Sequence, residues 1–119
     1  MVLVDTSVWI AHFRSGKNKL VEMLNEGNVL CHPFIIGELA CGNIRNRDEI
    51  LSLLHDLPMV IQVSDNEAIE FIKMRKLMGK GLGYIDVHLL ASALLSNVSL
   101  WTLDAKLNQM AVNLKLIHK

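Results

Sequence analysis

Residues 83–104 read GYIDVHLLASALLSNVSLWTLD, and this stretch decides the fold. From Ile85 to Leu95 it is apolar almost throughout and rich in Leu and Ala, which predicts a helix buried on more than one side. Ser99 to Leu103 then reads as a short strand closed by an acid, Asp104. The segment before the helix, Gly79-Lys80-Gly81-Leu82-Gly83, must be a loop, because glycine recurs at every second position.

The same strand-then-acid pattern opens the chain, where Met1-Val-Leu-Val-Asp5 is a β-branched apolar run bounded by Thr6 and Ser7. The residues from Val8 to Gly16 receive no element of their own. A helix is predicted over 17–26, with Leu20, Val21 and Leu24 on one face and Gly27 as its stop. Pro33 opens the next, running through Phe34, Ile35, Glu38 and Cys41. Ile50, Leu53, Leu54 and Leu57 form a helical stripe that Pro58 ends. Ser64 and Glu67 have capping-box spacing before a helix carrying Ala68, Ile69, Ile72 and Leu77, and Ala105 to Val112 gives a last helix. Asn28–Cys31, Met59–Val63 and Leu114–Ile117 are the remaining strand candidates. Strands alternating with helices imply an α/β domain whose parallel sheet is covered on both faces through right-handed crossovers.

A chain of 119 residues fits one domain, 1–119. Its 51% apolar content, with only 2 Pro and 7 Gly, excludes a disordered or collagen-like chain. The start has no basic region before its apolar run, and no stretch approaches the ~18 apolar residues of a membrane span, so a cytoplasmic protein is expected. Cys31 and Cys41 are then expected as buried, inert thiols rather than a disulfide or a zinc site. Twelve Lys and Arg balance twelve Asp and Glu, which argues against an ordinary basic nucleic-acid binder if every acid counts equally.

Four acids do not count equally, because they break the apolar pattern. Asp5 and Asp104 end apolar runs, which places them at the carboxyl edge of a parallel sheet, where open α/β folds bind ligands. Asp86 shares a helical face with Leu89, Leu90 and Ala93, and Glu38 has Phe34, Ile35, Cys41 and Gly42 as its neighbours, so both are expected to point inward. Each alone has an ordinary structural account, as a helix cap or one half of an ion pair. Together they would raise one another's pKa unless a divalent cation held them ionised, and oxygen ligands select Mg²⁺ or Mn²⁺. An ion held this way suits in-line phosphodiester hydrolysis by a metal-activated water. Outside these four, 12 basic residues face eight acids, a remainder of +4, so the zero balance reads as an acidic hole in a mildly basic surface.

In order and spacing, VDTSVWI, IGELACG, GYIDVHLLASALL and LWTLDAKL resemble the four acidic motifs of PIN-domain ribonucleases, and more narrowly those of VapC toxins from toxin–antitoxin pairs. The resemblance implies a three-layer α/β/α sandwich with a central, mainly parallel sheet, and an endoribonuclease that binds Mg²⁺ or Mn²⁺. By position it makes Asp5 and Asp86 the main metal ligands, with Glu38 and Asp104 completing the cluster directly or through water. Thr6, Ser7 and Thr102 stand beside these acids as auxiliary hydroxyls, or as plain caps and turn residues. The resemblance also implies an RNA substrate, a VapB-type antitoxin and a homodimer.

The other candidates are weaker. His12, His32, His55, His88 and His118 offer general-base chemistry, but His88 sits about 200° around a helix from Asp86, and Trp9 and Trp101 read as core residues or, for one of them, as a stacking face for an unpaired base. Arg14, Lys17 and Lys19, then Arg45 and Arg47, then Arg75, Lys76 and Lys80 adjoin the acid-bearing segments, where phosphate contacts would be useful. A non-catalytic PIN module that binds RNA or protein is the rival reading. A phosphotransfer receiver is disfavoured, since it would place two acids early and an essential Lys late.

Overall fold

In the computed structural model, residues 1–117 are described; His118 lies outside them. Three parallel strands, β1 (Val2–Val4), β2 (Val29–Leu30) and β3 (Ser99–Trp101), form a sheet in the order β2-β1-β3. Leu3 pairs with Leu30 on one side and Leu100 on the other. All three residues of β1 are buried, as a strand covered on both faces requires.

Around the sheet stand α1 (Thr6–Ser15), α2 (Asn18–Asn25), α3 (Pro33–Ala40), α4 (Arg47–His55), α5 (Asp65–Arg75), α6 (Tyr84–Ser96) and α7 (Ala105–Asn113). α1 packs on α3 and α3 on α4, while α5 packs on α6 and α6 on β3, giving the expected α/β/α sandwich. Val2, Leu3, Val4, Leu20, Ile35, Leu89, Leu90, Leu100 and Leu107 fill the core. α6 is buried from Val87 through Ala93, including the polar His88 and Ser92.

Several elements differ from the sequence expectations. Helix α1 forms where the sequence carries no clear helical pattern; Asp5 caps it and its buried face carries Val8 and Trp9. The strand expected over Met59–Val63 shrinks to one bridge between Met59 and Cys31. Beyond Val60 the Ile61 N–H turns to the Ser96 hydroxyl at 2.9 Å, so the ladder cannot continue. The strand expected at Leu114–Ile117 is likewise one bridge, Ile117 to Leu100, with the Leu100 N–H donating to the Leu116 carbonyl at 2.6 Å. Cys31 is buried, but Cys41 is exposed because it lies past the last turn of α3. On α5, Ala68 is buried and Ile72 half-buried while Ile69 is exposed, so the apolar stripe is narrower than its sequence implies.

Candidate active site

The chain runs from β1 to β2 on one side and then crosses to β3 on the other, so the direction of winding reverses at the carboxyl end of β1. A crevice at such a point is the usual ligand site of an open parallel sheet. Asp5 stands there, buried, with its N–H donating to the Trp101 carbonyl at 2.9 Å and so tying the ends of β1 and β3 together.

Two hydroxyls hold its carboxylate. Ser7 Oγ donates to Asp5 Oδ2 at 2.7 Å, Thr102 Oγ1 donates to the same oxygen at 2.8 Å, and the Ser7 N–H adds a long contact at 3.4 Å. Each hydroxyl has one proton to give, and both are spent on Asp5. Their lone pairs accept from the other side: Ser7 Oγ from the Leu103 N–H at 3.0 Å, and Thr102 Oγ1 from the Asp104 N–H at 3.1 Å. Ser7 and Thr102 therefore fix Asp5 and also position the turn that carries Asp104. Among the described residues, every hydrogen bond to the Asp5 carboxylate falls on Oδ2, which leaves Oδ1 as a ligand atom.

Asp104 Oδ1 accepts the Leu107 N–H at 2.9 Å and caps α7. Asp86, half-buried in the first turn of α6, accepts the Gly83 N–H at 3.0 Å. Burial pushes the Asp86 carboxyl above the ordinary aspartate range, the charges of Asp5 and Asp104 push it further, and the Gly83 N–H opposes them. That mutual repulsion places Asp5, Asp86 and Asp104 in one electrostatic neighbourhood. Glu38 joins through Thr6, whose hydroxyl donates to Glu38 Oε1 at 2.7 Å.

Two of the four acids are less enclosed than expected. Glu38 and Asp104 are exposed, Glu38 because the buried stripe of α3 runs through Ile35, Ile36 and Leu39 and leaves it at the margin. Asp104 is exposed because it starts a helix at the open edge of the sheet. Among the described residues no three His, Cys, Asp or Glu side chains stand close enough to hold an ion as they are.

The donor chemistry nevertheless fits a hard cation. Every ligand atom is an oxygen, one carboxyl is already shifted up by its like-charged neighbours, and among the described residues no Lys or Arg forms an ion pair with any of the four. Closing the carboxylates onto a divalent ion would offset their repulsion.

Three of the histidines are used elsewhere. His12 Nδ1 accepts the Lys17 N–H at 3.0 Å, and buried His32 caps α3 by accepting the Phe34 N–H on Nδ1 at 2.9 Å. His88 is buried beside the Tyr84 and Phe34 rings, 3.3 Å from Asp65 Oδ1, an oxygen that also accepts the Tyr84 hydroxyl at 2.7 Å. The Tyr84 hydroxyl is the main reason that the Asp65 carboxyl lies below the ordinary range. Sequence reasoning missed this arrangement, because Asp65 had a sufficient account as the first residue of α5.

A parallel α/β sandwich with hydroxyl-held carboxylates at its switch point defines the class: a compact domain with an acidic site at the sheet's carboxyl edge. Comparison with known proteins narrows it. The PIN domain pattern matches residues 2–113. Two curated relatives, both named Ribonuclease VapC32 and from the CDC 1551 and H37Rv strains of Mycobacterium tuberculosis, are 45% identical over 108 residues, covering 90% of this chain and 87% of theirs. The chain belongs to the PIN-domain family, among the VapC-type ribonucleases.

Proposed function

We propose that this chain is a Mg²⁺- or Mn²⁺-dependent endoribonuclease and the toxin of a VapBC-type pair, working in the cytoplasm as a single domain spanning its whole length. The observation that carries the reading is that Thr102 ties Asp5 to the turn bearing Asp104 at the sheet edge beside Asp86, with no basic side chain paired to the three acids among the described residues. Asp5 and Asp86 would be the main metal ligands, with Glu38 and Asp104 completing the set directly or through water. When bound, the cation supplies charge neutralisation at the phosphate and a more acidic water.

The chain's own residues supply the rest. Ser7 and Thr102 orient Asp5, Thr6 holds Glu38, and the Gly83 N–H restrains Asp86. A single-stranded or looped RNA is the favoured substrate, because an unstacked strand lets the backbone turn for in-line attack. A cleft of about 440 Å³ lined by Trp9, Phe13, Leu24, Ile50, Leu53 and Leu57 gives an antitoxin segment apolar surface to bury, in keeping with a VapB-type partner and a homodimeric toxin.

Mapping RNA ends in cells after brief induction tests the proposal. New cleavage ends with the wild type, and none with Asp5→Asn, support it. Identical end maps for the two would reject it and favour a non-catalytic module.

A further inference from the structure

A cavity of about 650 Å³ lies between the end of α5, the glycine loop and α7, and its walls carry Arg75, Lys76, Lys80 and Lys106 with Gln109 and Asn113. No acid lines it, and among the described residues none of the four cations forms an ion pair. Four positive charges kept around one cavity repel one another, so the arrangement is poised for an anion.

The backbone builds this grouping. Lys76 ends α5 in the left-handed region at φ 55, and the buried Leu77 anchors the turn beneath it. Gly81 has φ 79, and a Cβ there would lie 2.8 Å from Lys106 Nζ and 2.9 Å from its Cδ. The Lys106 stem therefore lies across the bare backbone of Gly81, joining α7 to the loop.

Both walls lead to the acidic site. The loop ends at Gly83, which holds Asp86, and Lys106 lies two residues beyond Asp104 on the helix that Asp104 caps. The cleft on the β2 side differs: its about 520 Å³ is lined by Arg14 and Arg45 but also by Glu38. The unopposed positive charge is on the β3 side.

We infer that the Arg75–Lys76–Lys80–Lys106 cavity seats the backbone phosphates of the RNA strand on the β3 side of the scissile bond. The inference rests on the ribonuclease reading above. A strand lying across the acids meets a cationic seat on one flank only, so its phosphates are held unequally on the two sides of the cut.

The test uses the full chain and a fluorescein-labelled single-stranded RNA oligonucleotide. The variant Lys80→Gln/Lys106→Gln keeps the stem over Gly81 while removing two charges, and Lys80→Gln alone serves if the double variant fails to fold by circular dichroism. Binding is measured against salt in EDTA, and KM for cleavage in Mn²⁺. The double variant should raise KM at least fivefold and lower the salt slope of binding by about 1.4, at about 0.7 per phosphate contact on a single strand. Lys80→Gln alone should lower the slope by about 0.7. An unchanged slope and KM would overturn the inference while leaving the nuclease reading intact. If the wild type binds RNA with this lysine-dependent slope but never cleaves it, the nuclease reading fails and the phosphate seat stands.

Discussion

At the scale of single residues, the site balances charge against burial. Asp86 is at odds with its surroundings: its folded pKa is raised, chiefly by burial, so the folded state favours the protonated form. Its stabilising contribution is present at low pH and is lost as pH rises through the folded pKa. Asp86→Asn should therefore raise the melting temperature near neutral pH in EDTA while abolishing cleavage, a trade of activity for stability. Mn²⁺ should stabilise the wild type and not the variant, which differential scanning calorimetry would show.

His32 behaves in the opposite sense. Burial, then the neighbouring His88, pushes its pKa down to about 4 from the ordinary 6.5, and its Nδ1 must stay unprotonated to cap α3. Below pH 6.5 the unfolded chain takes up a proton that the fold refuses, so stability falls from about pH 6.5 to about pH 4 by up to about 3 kcal/mol. His32→Asn keeps a capping acceptor and should flatten that slope in urea titrations across the range. A variant with the wild-type slope would show that the ring does not titrate as described.

Among elements, hydrogen bonds that cross between segments matter more than the regular structure itself. Thr102 donates to Asp5 and accepts from Asp104, so Thr102→Val should cost about 2 kcal/mol by leaving a charged carboxylate short of a donor. Gly81→Ala should cost about 1–3 kcal/mol from its left-handed backbone, because the flexible end of Lys106 that a Cβ would meet can swing aside. In a Lys106→Ala background urea denaturation should show most of that cost persisting.

What the sequence made legible follows the same division. The strand at Val2–Val4 and the capping box at Ser64 and Glu67 were readable because their signals are local, and the structure contains both. Helix α1 was not readable, because Val8, Trp9 and Ile10 have strand preferences and only the cap from Asp5 reveals a helix. The strand expected after Pro58 failed for a non-local reason: Ser96 takes the Ile61 N–H from another helix. At the site, Asp5 and Asp104 were legible as acids ending apolar runs. The exposure of Glu38 and the pairing of Asp65 with Tyr84 and His88 depend on how α3, α5 and α6 pack, which no spacing along the chain reports.

For the whole molecule, zero net charge conceals an uneven distribution. Set apart from Asp5, Glu38, Asp86 and Asp104, the rest of the chain carries a formal +4, and the largest unopposed share lines the β3-side cavity. Without a cation, the acids repel the phosphates that the lysines attract. In EDTA, Asp5→Asn/Asp86→Asn should therefore bind single-stranded RNA several-fold more tightly than the wild type, as read by fluorescence anisotropy at low salt. Equal affinities would mean that the acids do not face the bound strand.

On the proposed function, Asp5 and Asp86 hold a divalent ion on which RNA cleavage by this domain depends. The direct measurement is cleavage of an end-labelled single-stranded RNA by purified protein in EDTA and in Mn²⁺, comparing the wild type with Asp5→Asn and Asp86→Asn, both shown folded by circular dichroism. Cleavage by the wild type in Mn²⁺ alone, reduced at least a hundredfold in each variant, is the predicted result. Cleavage that persists in EDTA, or in both variants, would contradict it.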